Sequence, residues 1–183
     1  MSQTDPPSAA NLGFLTVIQD GPSYLGGYLV TNLWGRPLEF RLSTAVQPNR
    51  IQQILYGGTL QQYLHADLIG KALVDKTGTA VQLILSDREP ALDLRYRLET
   101  PVAWLAPADD AGAATQLGSA CVARPARAGR GAVLCHPRYP SDVPLVSDLL
   151  SQLEGSVDLQ EPFLRIREAI GEARKMGVTN RAA

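Results

Sequence analysis

The sequence predicts an α+β fold: an antiparallel β-meander covered by a helix, with a C-terminal strand and two helices after a flexible insertion. Three observations predict it. Leu38, Phe40 and Leu42 alternate with Glu39, Arg41 and Ser43, the period of two that marks a strand with one buried face. Leu60, Leu64, Leu68 and Ala72 then recur every four residues, flanked by Tyr63, Ile69 and Leu73, which makes an apolar helical stripe broad enough to cover a sheet. Finally, 183 residues with 45% hydrophobic and 19% charged content hold enough apolar material for one cored domain and exclude a disordered chain.

The N-terminal residues 1–11 are polar and Pro-containing and are expected to be disordered; the sheet domain spans 12–105. Its first strand, Phe14 to Gln19, stops at the turn Asp20-Gly21-Pro22. Tyr24 to Thr31 is the second, with Gly26-Gly27 inside it predicting a bulge or a close backbone approach. Asn32 to Arg36 supplies the next turn, with Gly35 free to take positive φ. After the third strand, Asn49 is placed to cap a short helix bearing Ile51, Ile54 and Leu55, closed by Gly57-Gly58. Thr59 and Gln62 have capping-box spacing at the start of the 59–76 helix, and Gly78 is its expected stop.

Val81 to Leu85 reads as a strand buried on both faces, and Leu92, Leu94, Tyr96 and Leu98 alternate with charged residues as a half-exposed strand. Val102 to Ala106 is its candidate partner. Residues 106–131 are rich in Ala and Gly with no periodicity, predicting a flexible insertion. Within 132–177, Ala132 to Cys135 is a short strand and Ser141 caps a helix bearing Val143, Leu145, Leu149, Leu150 and Leu153. A last helix opens at Glu161-Pro162, carries Phe163, Ile166, Ile170 and Ala173 on one face, and ends at Gly177. Residues 178–183 are a tail.

Seventeen Lys+Arg against 18 Asp+Glu leave a net charge of −1, too balanced for nucleic-acid binding through bulk positive potential. No apolar run approaches the roughly 20 residues of a membrane helix, and residues 1–11 lack the basic and apolar parts of a signal peptide, so no membrane partner and a cytoplasmic location are expected. Two cysteines exclude a disulfide scaffold and a four-cysteine zinc site. The phosphate-loop, dinucleotide-binding, H-E-x-x-H and G-x-S-x-G signatures are absent.

Asp20 ends the first strand, Asp67 lies on the covering helix and Asp87 ends the strand after it. As plain residues these are a turn former, a solvated helix side chain and a strand-end cap. Their order resembles the ribonuclease-H-like nuclease fold across residues 16–87. That resemblance implies a metal-dependent nuclease in which Asp20 and Asp87 are ligands to Mg or Mn, the set being completed by Asp67 or by Asp142, Glu168 or Glu172. The four residues His65, Cys121, Cys135 and His136 have zinc-binding chemistry, but neighbours in a strand point to opposite faces, which separates Cys135 from His136. Arg124, Arg127 and Arg130 are positioned to contact phosphates, without the aromatic residues that stack on bases.

The favoured expectation is a non-catalytic interaction or accessory protein with no resident cofactor. It would self-associate or bind a protein partner through Tyr24 and Trp34 of the hairpin and through Phe163, Ile166 and Ile170 of the last helix, while the competing structural reading, the default for the helix, has Trp34 folded back as a lid and the helix packed on the sheet. The metal-dependent nuclease is the alternative.

Overall fold

The computed structural model describes residues 10–110, 112–126, 130–153 and 157–178. The expected disordered start therefore lies outside the described residues except for its last two positions. Seven strands form one mixed sheet in the order β3-β2-β1-β4-β5-β7-β6, which with its helices gives an α+β fold.

β1 (Asn11–Asp20), β2 (Ser23–Asn32) and β3 (Pro37–Leu42) are the predicted antiparallel meander. Gly26 and Gly27 carry no bulge, since β1 and β2 stay in register across them; a register shift falls instead between Val30 and Thr31 against β3. The two glycines serve close approach. A Cβ on Gly26 would collide with Ile69 Cγ2 on one side of the sheet, and one on Gly27 with Ile166 Cγ2 on the other.

α1 (Arg50–Tyr56) is closed by a complete capping box. Asn49 Oδ1 accepts from Gln52 N–H at 2.8 Å, and Gln52 Oε1 accepts from Asn49 N–H at 3.0 Å. The box expected at Thr59 does not form. Its hydroxyl instead donates to Tyr56 C=O at 2.8 Å, in the 3₁₀ turn Gly57–Thr59. The covering helix then runs as α2 (Leu60–Gln62), a π-helical stretch Tyr63–Gly70 and α3 (Lys71–Asp75). The wider winding, in which Lys71 N–H reaches Ala66 C=O, shifts the buried stripe by one residue. Leu64, Ile69 and Leu73 are buried, whereas Leu68 is half-buried and Ala72 exposed, so the predicted spacing of four holds only up to the π turn.

β4 (Leu83–Ser86) is wholly buried and pairs parallel with both β1 and β5 (Val102–Leu105). The sheet over 12–105 is thus mixed, not wholly antiparallel. Residues 92–98 are not a strand: Glu89–Arg97 is a 3₁₀ helix that buries Ala91, Leu92 and Leu94. The reason is topological, because parallel neighbours need a crossover and this run supplies it. The segment predicted as an insertion contains α4 (Ala113–Leu117), a 3₁₀ turn Ser119–Cys121 and the edge strand β6 (Val122–Arg124), which pairs with β7 (Val133–Cys135). α5 (Asp142–Ser151) starts after Ser141 as predicted, though the serine makes no side-chain cap; α6 (Glu161–Lys175) has Pro162 in its first turn.

Each face of the sheet carries its own core. On one side Phe163, Ile166 and Ile170 of α6 and Val146 and Leu150 of α5 pack on Phe14, Leu25, Leu29 and Leu85, with the Phe14 and Phe163 rings edge-to-face at 5.5 Å. On the other, Leu64, Ile69, Leu73 and Leu94 pack on Leu15, Val17, Tyr28 and Ile84. Gly27 is a tight fit in this sandwich, with Ile166 Cγ2 only 2.4 Å from where a Cβ would stand. The substitution Gly27→Val is expected to destabilise the fold by roughly 2–3 kcal/mol through overpacking against α6, read as a lower urea midpoint with unchanged slope.

Candidate functional site

The sheet places the carboxylate-bearing ends of β1 and β4 side by side, since the two strands are parallel and adjacent. It does not bring the three acids together. Leu15 pairs with Ser86, so Asp87 comes level with Thr16 and Asp20 extends four residues further, roughly 13 Å along the strand. Both face α6, which supplies a guanidinium to each: Arg167 bonds Asp87 Oδ2 and Arg174 bonds Asp20 Oδ2. Seven helical residues advance about 10 Å, so the two arginines measure out the separation of the two aspartates. Asp67 stands on the opposite face of the sheet, 2.6 Å from Arg97 Nε.

The late acids do not complete a set. Asp142 is buried and held by Arg95, at 2.7 Å from Nε and 3.2 Å from a terminal nitrogen, beneath the cation–π contact of Arg95 with Tyr139. Glu172 pairs with Lys175 at 2.7 Å, and Glu168 is exposed. Among the described residues no three His, Cys, Asp or Glu side chains are grouped to hold a metal ion. Asp20 and Asp87 therefore do not fit one Mg or Mn ion as arranged, because a shared ion needs oxygens within about 2.0–2.1 Å of a single point.

The histidines and cysteines are equally dispersed. Cys135 lies in the α5–α6 core, where burial pushes its thiol up to about 12, and burial also raises Cys121. His136, just beyond the end of β7, accepts from Arg138 N–H through Nδ1 at 3.1 Å, leaving Nε2 to donate to Asp93 at 3.3 Å. His65 is buried with Nδ1 unpartnered; desolvation first, and the Arg88 charge second, lower its pKa from 6.5 to about 4. Of the arginines weighed for phosphate contact, Arg124 is half-buried in β6 and Arg130 exposed beside it, while Arg127 lies outside the described residues.

The candidate contact residues divide. Trp34 is 73% exposed at the β2–β3 turn, where Asn32 Oδ1 accepts from the N–H groups of Trp34 and Arg36, both at 3.0 Å, and Gly35 adopts φ 77°. Tyr24 is buried, with its hydroxyl accepting from Gln61 at 3.0 Å, and Phe163, Ile166 and Ile170 are core residues. These four are withdrawn from the contact surface by the two glycines, which let helices close down on β2. Sequence reasoning missed a more open surface. α1 buries none of its seven residues, and Ile51, Ile54 and Leu55 are 67%, 64% and 78% exposed. It lies at the Tyr24 end of β2, which Val46 bridges just before the helix, about 26 Å along the strand from Trp34. No helix of the described residues is long and apolar enough to cross a membrane.

No family model and no curated protein matches the chain. Among solved structures it is similar to endonuclease V of Ciona intestinalis in complex with a 23mer DNA containing an inosine followed by a ribo-adenosine, at 14% identity and a TM-score of 0.34. The match covers 54% of this chain and 46% of that one, so it spans less than half of the endonuclease. A similarity of that degree supports neither a fold assignment nor an activity.

Unfolded His65 binds its proton near 6.5 and folded His65 only near 4, so stability falls by about 3 kcal/mol as pH drops through that window. Urea denaturation at pH 7 and pH 4.5 should show this loss in the wild type and a smaller one in His65→Leu. Glu39 is held down to about 2 by the Thr79 hydroxyl and then by the Thr79 amide, Arg41 and the Gly78 amide. Its stabilisation, complete above 4.5, disappears as pH falls toward 2, and Glu39→Gln should lose stability at pH 7 but little at pH 2.

Proposed function

We propose that this is a non-catalytic interaction or accessory protein that works through protein–protein contacts. α1 carries the reading. A seven-residue helix with no buried residue is not stable by itself in water; this one is fixed by the Asn49–Gln52 capping box and by the Tyr56 and Tyr63 rings, stacked at 3.9 Å. The result is a preformed helix offering Ile51, Ile54 and Leu55 to solvent with Arg50 as its one charge. Apolar anchors at this spacing suit insertion into a groove on a partner protein. Trp34 provides a second anchor at the far end of the hairpin.

The nuclease alternative has the adjacency of β1 and β4 in its favour. Against it stand the guanidinium on each of Asp20, Asp67 and Asp87 and the placement of Asp67 across the sheet from the other two.

Two measurements test the reading. Titration with millimolar Mg or Mn is expected to leave the melting temperature in place; a rise abolished by Asp20→Asn or Asp87→Asn would establish a metal site and overturn it. A photo-crosslinking residue replacing Leu55 is expected to trap one discrete protein adduct in cells. Adding Ile54→Asp should abolish that adduct while moving stability by no more than about 0.5 kcal/mol, because Ile54 touches no core. Absence of any adduct at Leu55 and Trp34 counts against the proposal.

A further inference from the structure

We infer that β3 pairs with β3 of a second copy of this chain, joining two seven-stranded sheets into one across a two-fold axis at Phe40; the inference rests on the interaction reading but uses a different surface from α1. β3 ends the sheet, so among the described residues one side of its backbone has no neighbouring strand. Ser43 N–H donates to Gly26 C=O at 2.9 Å, and antiparallel alternation then turns Arg41 and Glu39 toward β2. The N–H and C=O groups of Phe40 and Leu42 consequently point out of the sheet, and no partner for them occurs among the described residues.

Such an edge is an open template, which proteins usually blunt with charges that repel a second copy. The charges here do the reverse. Centring an antiparallel pair on Phe40 sets Phe40 opposite Phe40, Leu38 opposite Leu42, and Glu39 opposite Arg41 twice over. The same register places the outward backbone groups of Phe40 face to face, as a hydrogen-bonded pair requires. A displacement by one residue would set the outward backbone groups of one strand opposite residues whose groups point inward, and an apolar side chain opposite a charged one.

The side chains suit the arrangement. Glu39 is fixed before any partner arrives, its carboxylate accepting from the Thr79 amide at 2.9 Å, the Gly78 amide at 3.1 Å and Arg41 of its own strand at 2.6 Å; the Arg41 side chain keeps 45% of its surface exposed, so pairing would have it bridge the two copies' carboxylates. On the other face Leu38 and Phe40 are 46% and 39% exposed, beside the part of the sheet that α6 covers. Pairing would extend that covered region across the axis. Two-fold association is also the commonest symmetry of soluble oligomers, and it requires a self-complementary patch.

Sedimentation equilibrium of the full chain at micromolar to hundred-micromolar concentration is expected to show a species of twice the 19.7 kDa of one chain. Hydrogen exchange of the Phe40 and Leu42 amides should slow as concentration rises. Phe40→Asp, which opposes two carboxylates on the axis, should give monomer throughout with its melting curve retained. Arg41→Glu and Glu39→Arg should each be monomeric alone and form a one-to-one pair when mixed. A wild type that stays monomeric at every concentration overturns the proposal, as does a dimer that survives Phe40→Asp or leaves those two amides exchanging freely. A dimer lost only on Ile54→Asp would move the interface to α1, refuting the β3 pairing while sustaining the interaction reading. If Leu55 and Trp34 yield no adduct while β3 pairs as described, the partner reading fails and self-association stands.

Discussion

Everything in this fold hangs on two helices reaching the same strand pair from opposite sides. Gly26 and Gly27 are consecutive, so they point to opposite faces of β2, and each leaves the space that a branched side chain of the overlying helix fills: Ile69 on one side, Ile166 on the other. The approach brings Phe163 against Phe14 and puts Leu73 and Ile170 within contact range of the glycine positions. It also fixes α6 along the sheet closely enough for Arg167 and Arg174 to meet Asp87 and Asp20. The ion pairs are a consequence of the packing, since an exposed pair such as Asp20 with Arg174 is worth too little to position a helix.

That ordering explains what the sequence displayed and what it hid. The meander was readable because Leu38, Phe40 and Leu42 alternate strictly and the turns carry their own Gly, Pro and Asn signals. α6 was readable because its apolar face keeps one helical period from Phe163 to Ile170. The parallel strands were not, although β4 carried the clue: a run buried on both faces is typical of parallel pairing. Once β4 and β5 are parallel, residues 87–101 must cross over, and the alternation of Leu92, Leu94 and Tyr96 loses its meaning as a strand. The π stretch was invisible for another reason. One inserted residue leaves every apolar side chain in the list and only changes which of them, Leu68 or Ile69, faces the sheet.

The candidate site shows the same division. Asp20 and Asp87 at the ends of strands one and four were legible, and the structure does place those strands together. Their separation along the sheet depends on register, which sequence does not give when the strands are distant in the chain. Their arginines are 80 and 154 residues away. A carboxylate at a strand end therefore reads alike whether it awaits a metal ion or a guanidinium. From sequence Trp34 was readable either as an exposed turn aromatic or, slightly better, as a lid folded back on the sheet; the structure leaves it exposed at a turn held by two hydrogen bonds to Asn32 Oδ1. Ile51, Ile54 and Leu55 were legible as members of a short capped helix, but their spacing does not reveal that they face solvent; the capping box lets α1 persist with nothing beneath it.

The surfaces left open are separate, and their chemistry differs. α1 offers aliphatic side chains on a helix and leaves no backbone group free along its middle, so a partner would recognise it by shape and apolar area. β3 offers backbone N–H and C=O groups together with a charge pair, so it discriminates by register and orientation as well as by area. Glu39 links the second surface to the interior: its carboxylate fastens the 78–79 turn behind α3 to the edge strand, and α3 in turn carries Leu73 against Gly26. The edge is thereby held flat against the sheet by the same helix that the glycine admits. A strand so braced loses little conformational entropy on pairing, whereas a frayed one would have to be ordered first. The glycine pair at the centre of the molecule thus also prepares its rim for contact.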